Sequence, residues 1–297
     1  MKKIAPLLVL LAGILWGTMG IYVRRFDVLS FTTIEIVAVR AIMTTLSMAL
    51  VLLIYDRRLF RIRIKDVWCF LGTGILSILF FNFCYFKAIT LTSLSVAAVL
   101  LYTAPAIVMV LSVFLFGERI TLVKFFALLA TFVGCILVTG VMGNEAKLSI
   151  QGVLIGLGAG LGYALYSIFS RYAILRNYHS LTITFYTFLF ASVGVIPLAD
   201  MGKVLKAASG DGVMLGFYVV FACVSTVIPY LLYTLGLNYI ENGKASIIAS
   251  VEPVTATVIG VILFHETLLW NHLLGIVLVL SGIVACSLVN KEKEVEE

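Results

Sequence analysis

The fold is decided by a stretch of sequence that occurs twice in the chain. Residues 88–121 read AITLTSLSVAAVLLYTAPAIVMVLSVFLFGERIT, and residues 243–267 read GKASIIASVEPVTATVIGVILFHET. The two copies align at an offset of 148 residues, which places Pro105 on Pro253. Apolar identities are common in so apolar a chain, but the chain holds only five prolines. The shared proline therefore indicates an internal repeat.

The repeat extends beyond this stretch in both directions. Glu118 aligns with Glu266 at the same offset, and nine of the 50 aligned positions around this pair are identical. An offset of 147 residues aligns the start of the chain with its middle, and Arg24 then falls on Arg171. The second half of the chain is therefore a diverged copy of the first half.

The composition predicts a membrane protein. Hydrophobic residues make up 62% of the chain, charged residues make up 12%, and the mean hydropathy is +1.14. A helix needs about 20 mainly apolar residues to cross a bilayer. Ten such stretches lie at residues 4–23, 31–55, 66–88, 93–116, 121–142, 150–171, 179–199, 211–236, 243–264 and 269–290. They show no strand-like alternation, so we expect helices with all backbone groups bonded internally.

The predicted fold class is an all-α integral membrane protein with ten transmembrane helices as two inverted five-helix repeats. The first repeat is expected at residues 1–142 and the second at residues 150–290. An odd number of spans in each repeat places the second copy upside down in the membrane. Inverted repeats are a recurring architecture of secondary transporters.

The repeated stretch resembles the EamA type of the drug/metabolite transporter superfamily. The resemblance is carried by a helix start rich in small residues, a proline in mid-span, and Gly117 and Glu118 at the hairpin. The second copy departs from this pattern, because His265 stands in the place of Gly117 and Thr267 in the place of Arg119. The resemblance covers the whole chain and implies small-molecule transport, usually export, without ATP hydrolysis. It does not imply a particular substrate.

Glu252 is the first candidate for substrate binding or coupling. It lies near the middle of the ninth span, and its counterpart in the first half is Ala104. An ionisable group at that depth is expensive and is a functional candidate by default. One hypothesis is that Glu252 binds an ammonium group or exchanges a proton. The alternative is a protonated carboxyl that is bonded to a neighbour and serves only the structure.

Arg40 is the second candidate, and it lies well inside the second span. It would meet a carboxylate from the substrate, or it would form a structural ion pair with another helix. Glu35 lies nearer the end of the same span, where snorkelling to water is a sufficient explanation.

Aromatic and amide side chains are candidates for the walls of a cavity. Aromatic walls around a mostly apolar pocket suit amphipathic or ring-bearing ligands, and the alternative for each residue is ordinary packing. The candidates are Trp16, Asn82, Tyr102, Tyr163 and Tyr230, and the repeat aligns Trp16 with Tyr163. Pro105 and Pro253 interrupt their helices in mid-span and are predicted to act as hinges beside this cavity.

These features favour a secondary transporter that works by alternating access and exports amino-acid-like or amphipathic solutes. A proton-coupled exporter of cationic drugs is the alternative, in which Glu252 would carry the proton. An intramembrane enzyme is the alternative from a different class. The three histidines lie at loops or span ends without metal-ligand spacing, so neither a metal nor a cofactor is predicted. The expected partners are a small-molecule substrate and the lipid bilayer, without nucleic acid.

Basic residues predict the orientation. If the N-terminus is cytoplasmic, 14 Lys and Arg residues flank the cytoplasmic ends of the spans and six flank the outer ends. Positive residues are retained on the cytoplasmic side. The protein is therefore expected to be a multi-pass protein of the cell membrane with both termini in the cytoplasm.

A cysteine placed in loop 56–66 tests this orientation. In Arg61→Cys, an impermeant maleimide added to intact cells should not label residue 61, because the loop is predicted to face the cytoplasm. Lys206→Cys, in a loop predicted to lie outside, is the matched control and should be labelled. Efficient labelling of residue 61 from outside the cell would reverse the orientation.

Overall fold

The computed structural model describes residues 2–141, 149–210 and 212–293. Residues 142 and 211, at which two predicted boundaries fall, lie outside the described residues, as do residues 1 and 147. The helices that correspond to the predicted spans are α1 Lys2–Val28, α2 Thr33–Tyr55, α3 Ile64–Leu91, α4 Leu94–Phe116, α5 Leu122–Val138, α6 Ile150–Leu175, α7 Ser180–Leu198, α8 Gly212–Leu237, α9 Asn242–Phe264 and α10 Trp270–Leu288.

All ten predicted spans are helical over the described residues, as the apolar stretches predicted. Nine of these helices are long and apolar enough to cross a membrane, while α5 is shorter, at 17 residues. A further short helix, Met201–Gly210, connects α7 to α8.

α2 begins at a capping box, which explains Glu35 differently from snorkelling. The backbone N–H of Thr32 donates to the Glu35 carboxylate at 2.6 Å, and the Glu35 N–H donates to the Thr32 hydroxyl at 3.4 Å. Lys203 adds an ion pair at 2.9 Å. The Glu35 side chain is only 6% exposed, so the interpretation that it reaches to water is wrong. Its carboxylate instead caps a helix and pairs with a lysine that is distant in sequence.

α4 and α9 are each interrupted just before their proline. α4 consists of Leu94–Leu101 and Ala104–Phe116, and α9 consists of Asn242–Ala249 and Val251–Phe264. Proline has no N–H and clashes with the turn before it, so the helical hydrogen bonding breaks at this point.

The residue that directly follows α4 and the residue that directly follows α9 both adopt a left-handed conformation. Gly117 has φ 67° and His265 has φ 55°. Glycine adopts this conformation without steric cost, and histidine does so less readily. The second copy therefore keeps the backbone of the hairpin although it has lost the glycine.

π-helical turns occur at equivalent places in the two halves. They cover Gly72–Leu79 in α3 and Cys223–Val227 in α8. At the repeat offset of 148 residues, 223–227 falls on 75–79. A π turn inserts an extra residue into the helical ladder and is uncommon. Its occurrence in both copies supports a shared ancestry of the two halves.

The helices pack in two related groups. α3, α4 and α6 form the first bundle, and α8, α9 and α1 form the second bundle. α2 packs against α7, and α5 packs against α10. Exchanging each helix of one half for its counterpart in the other half reproduces the same set of neighbours. The arrangement is therefore that of two five-helix units related by approximate two-fold symmetry.

Contacts between loops define two ends of the molecule. The Glu118 end contains the hairpin between α4 and α5, which meets the loop that leads into α9 through Asn242. The Glu266 end contains the hairpin between α9 and α10, where Glu266 pairs with Arg24 of α1. α9 runs from the first end to the second. In the predicted orientation, the Glu118 end faces the cytoplasm.

α5 and α10 cross closely at two glycines. A Cβ atom at Gly134 would lie 2.7 Å from the carbonyl oxygen of Gly275 and 2.9 Å from the backbone nitrogen of Val279. Backbone atoms cannot move aside as a flexible side chain would. Small residues at this crossing therefore allow the two backbones to approach each other.

Gly134→Ala should lower the melting temperature of the purified protein, because overpacking of this kind costs about 1–3 kcal/mol. Gly216→Ala is the matched control, since a Cβ there meets no atom within 4 Å. The control should melt at or slightly above the wild-type temperature, because alanine is the better helix former. Equal melting temperatures for the two variants would contradict the close crossing.

Candidate functional site

Aromatic rings from both bundles meet between α1, α6 and α8. The Trp16 ring packs edge-on against Tyr230 at a centroid distance of 5.1 Å and against Tyr163 at 6.2 Å. Tyr166 packs against Tyr230 at 4.8 Å. The space that these rings leave is about 10 Å³, which is the room that one water needs. The rings of the aromatic cluster are therefore closely packed and do not enclose an open pocket.

Tyr233 belongs to the same cluster, although the sequence reasoning did not include it among the candidates. Its ring lies 5.3 Å from that of Trp16, and its hydroxyl shares a 2.7 Å hydrogen bond with Ser167. The repeat gave a signal that would have identified it, because Tyr233 aligns with Tyr85.

Glu252 lies at the interruption of α9 and faces the first bundle. The Tyr163 hydroxyl donates to its carboxylate at 3.0 Å. A second small cavity connects Glu252 with Tyr102 and Pro105 of α4. The carboxyl is therefore bonded to one neutral hydroxyl. This contact is compatible with both hypotheses for the residue, because a tyrosine can orient a binding carboxylate or satisfy a structural one.

Arg40 is buried and forms no ion pair with any residue that the structure describes. The residue is only 4% exposed, and its Nη1 donates to the Met19 sulfur at 3.5 Å. Its Nη2 has no hydrogen-bond partner among the described residues. Among the described residues, Arg40 therefore does not form the structural ion pair with another helix that one hypothesis predicted.

A second unpaired donor lies in the same region. The indole Nε1 of Trp16 is buried and, over the described ranges, has no acceptor. Buried donors without partners are costly, and most are satisfied in native proteins. The Arg40 and Trp16 donors are therefore both available to an acceptor that the protein itself does not supply.

The remaining candidates separate into two places. Tyr102 and Pro105 line the small cavity beside Glu252, and Pro253 is buried on α9. Asn82 lies apart from the aromatic cluster, and its amide donates to the Ile78 carbonyl at 2.7 Å. Asn82 lines a cavity of about 270 Å³, whose walls come from α2, α3 and α7 and include Lys87. The structure thus brings the other candidates together but places Asn82 at a neighbouring cavity.

Comparisons with known proteins agree with this architecture. The chain aligns with an uncharacterized transporter of Archaeoglobus fulgidus at 34% identity over 71% of this chain and 74% of that protein. It aligns with the uncharacterized transporter YxxF of Bacillus subtilis at 26% identity over 98% of this chain and 91% of that protein. The uncharacterized inner membrane transporter YicL of Salmonella typhimurium is 23% identical over 96% of this chain and 95% of that protein.

A solved structure shares the fold. A crystal structure superposes with a TM-score of 0.78 and covers 97% of this chain and 99% of that chain at 16% identity. The model of the EamA-like transporter family matches the chain twice, at residues 3–140 and 150–288. These two matches correspond to the two halves found in the sequence and in the helix packing. The chain is therefore a multi-pass membrane protein and belongs to the EamA-like transporter family.

Proposed function

We propose that the protein is a secondary transporter that exports amino-acid-like solutes by alternating access. The observation that carries this proposal is the buried Arg40 guanidinium, which has no carboxylate partner within the described chain. A buried charge is tolerated when it is paired. A ligand carboxylate would supply the missing pair.

The site has complementary groups for both ends of a zwitterion. Arg40 Nη2 and Trp16 Nε1 are donors for a carboxylate, and arginine is well suited to this role. Glu252 is an acceptor for an ammonium group. The aromatic rings that pack against Trp16 and Tyr163 suit an apolar side chain of the solute. An amino acid or a similar amphipathic molecule therefore matches the site better than a strongly anionic solute, which would require several buried cations.

The division of the chain supports the alternating-access part of the proposal. We assign the two repeats to residues 1–142 and 150–290, inserted in opposite orientations. Each repeat contributes helices to both bundles, and the bundles meet at the aromatic cluster. The interruptions before Pro105 and Pro253 give each bundle a helix that can bend next to Glu252.

A proton-coupled exporter of cationic drugs is the second candidate function. It is favoured by the contact of Glu252 with a neutral tyrosine hydroxyl rather than a cation. A cationic ligand would then take the place of the ammonium group, and Glu252 would exchange it for a proton. In this alternative Arg40 would have no role in binding.

Solute counterflow into proteoliposomes distinguishes these possibilities. Arg40→Gln should lower uptake of a neutral amino acid at least about tenfold, because it removes a charge-assisted contact to the carboxylate. Uptake of the corresponding amine, which lacks the carboxylate, should change little. Arg25→Gln is the matched control, because Arg25 is exposed near the end of α1. Equal uptake by wild type and Arg40→Gln would contradict the proposal, and turnover without flux would indicate an enzyme.

Glu252→Gln tests the coupling role separately. The amide keeps the size and hydrogen-bonding capacity of the side chain but does not titrate. If Glu252 binds the ammonium group or carries a proton, transport should lose most of its rate or most of its pH dependence at an unchanged melting temperature. Flux profiles against pH that coincide for the two proteins would show that Glu252 is a structural carboxyl.

A further inference from the structure

The two ends of the molecule are held together differently, although the repeat gives them equivalent residues. At the Glu118 end, the Glu118 carboxylate accepts the backbone N–H groups of Asn242 and Gly243 at 2.7 and 3.1 Å. These groups belong to the first turn of α9, where N–H groups have no partner within the helix. Glu241 at the N-cap position provides no side-chain bond to them. A residue that follows α4 of the first bundle therefore caps a helix of the second bundle.

α6 and α8 reinforce this contact between the bundles. Arg171 near the end of α6 donates to the carbonyl groups of Leu237 and Ile240, where α8 ends. Closer to the aromatic cluster, the Ser167 and Tyr233 hydroxyls share a hydrogen bond. A basic side chain at the C-terminus of a helix is favourable, because the last carbonyl groups lack helical partners. The Glu118 end is thus closed by contacts that cross from one bundle to the other.

At the Glu266 end, the equivalent side chains stay within one bundle. Glu266 accepts from Arg24, and the Arg24 guanidinium lies 3.8 Å from the centre of the Phe264 ring. All three residues belong to α1 or to α9 and its hairpin. The N–H groups of Leu94 and Ser95, which occupy the repeat positions of the two groups that Glu118 caps, have no hydrogen-bond partner among the described residues.

The seam between the bundles is also open at the Glu266 end. Gly20 of α1 occupies the repeat position of Ser167, and a Cβ there would meet no atom within 4 Å. Tyr85 of α3 occupies the position of Tyr233, and within the described ranges its hydroxyl makes no hydrogen bond. Residues 242–249 of α9 are all buried, whereas Leu94 at the equivalent start of α4 is 63% exposed. The structure is therefore closed at the Glu118 end and open at the Glu266 end.

We propose that Glu266 and Arg24 are the gate residues of the open end and exchange partners when that end closes. In the closed arrangement, Glu266 accepts the N–H groups of Leu94 and Ser95, as Glu118 now does for α9. The inference rests on the proposed alternating-access function, and it adds the residues that hold each of the two states.

Arg24 takes the position at the end of α3 that Arg171 now has at the end of α8. The repeat places Ile89 and Thr92 where Arg171 finds its two carbonyl acceptors, so these are the carbonyl groups that Arg24 reaches. In the same transition, Glu118 and Arg171 release the second bundle. The four cross-bundle hydrogen bonds that Glu118 and Arg171 make at one end are then replaced by four from Glu266 and Arg24 at the other end, which favours reversible switching.

The present Arg24–Glu266 pair is suited to such an exchange. Its two side chains are 53% and 49% exposed. An exposed ion pair contributes little to stability, because water and salt screen it. Breaking this pair is therefore a small cost against the capping contacts that replace it. The pair keeps both gate residues oriented and solvated while the end is open.

The two glutamates should have opposite effects on the balance between the states. Glu118→Gln weakens the contact that closes the Glu118 end and should shift the population towards the other state. Glu266→Gln weakens a contact that forms only in that other state and should shift the population the opposite way. A substitution shifts an equilibrium only through its differential effect on the two states. The direction in which Glu266→Gln shifts the population therefore shows in which of the two states Glu266 makes its stabilising contact.

A cysteine at position 246 reports the state of the Glu118 end. Ser246 is buried in α9 behind the closed contact, so the labelling rate of Ser246→Cys follows the population of molecules open at that end. With a water-soluble maleimide and peptide mass spectrometry, Glu118→Gln should raise this rate about tenfold. Glu266→Gln should lower it about tenfold, as expected for loss of a charge-assisted contact. Ala98→Cys is the matched reporter at the repeat position in α4, and its rate should not rise in either variant.

Three results would contradict the proposal. They are an unchanged or faster rate at position 246 in Glu266→Gln, an unchanged or slower rate there in Glu118→Gln, and faster labelling at both reporters. Faster labelling at both reporters would mean that the substituted glutamate stabilises the fold as a whole rather than one of the two states. If Glu118→Gln does not fold, Arg171→Gln and Arg24→Gln form a second pair with the same opposite signs. The labelling needs no substrate, so a failure to transport amino acids leaves this test intact.

Discussion

The structure depends on one constraint: a backbone group that lies in a bilayer needs a partner within the protein. Regular helices meet this requirement along most of their length. α4 and α9 do not, because each is interrupted before a proline, and their first turns also carry free N–H groups. Glu118 satisfies those groups for α9 from the opposite bundle. The groups left free in α4 lie at the open end of the molecule. The same requirement thus explains both the fold and the difference between its two ends.

Charge inside the bundle follows a related constraint, since an unpaired ion is poorly tolerated away from water. Glu35 meets it through Lys203 and the capping box. Arg40 does not meet it within the described chain, and Glu252 has only a tyrosine hydroxyl. The charge of Glu35 is therefore balanced by groups of the protein itself. Arg40 and Glu252 form no ion pair with any residue that the structure describes, and in the proposed function a zwitterionic solute supplies their partners.

Sequence reasoning predicted the fold well, because long apolar stretches and an internal repeat depend only on local composition and spacing. It also identified Trp16 and Tyr163 as equivalent positions of the repeat, and the structure shows that their rings pack against each other. It was wrong on Glu35, because the partner Lys203 is far away in sequence. It could not distinguish Glu118 from Glu266, which occupy the same position of the repeat but have different partners in the structure. It grouped Asn82 with the aromatic candidates, but Asn82 lies on α3 and lines a separate cavity with residues of α2 and α7.

If one site recognises both charged groups of a zwitterion, a zwitterionic ligand should stabilise the folded protein more than an analogue that carries only one of the charges. A ligand that binds the folded state raises its apparent stability. Melting of the purified protein should be shifted upward by a neutral amino acid but much less by its amine or its carboxylic acid analogue. The shift should disappear in Arg40→Gln. No shift with any amino acid, or an equal shift with the analogue that lacks the carboxylate, would contradict the account.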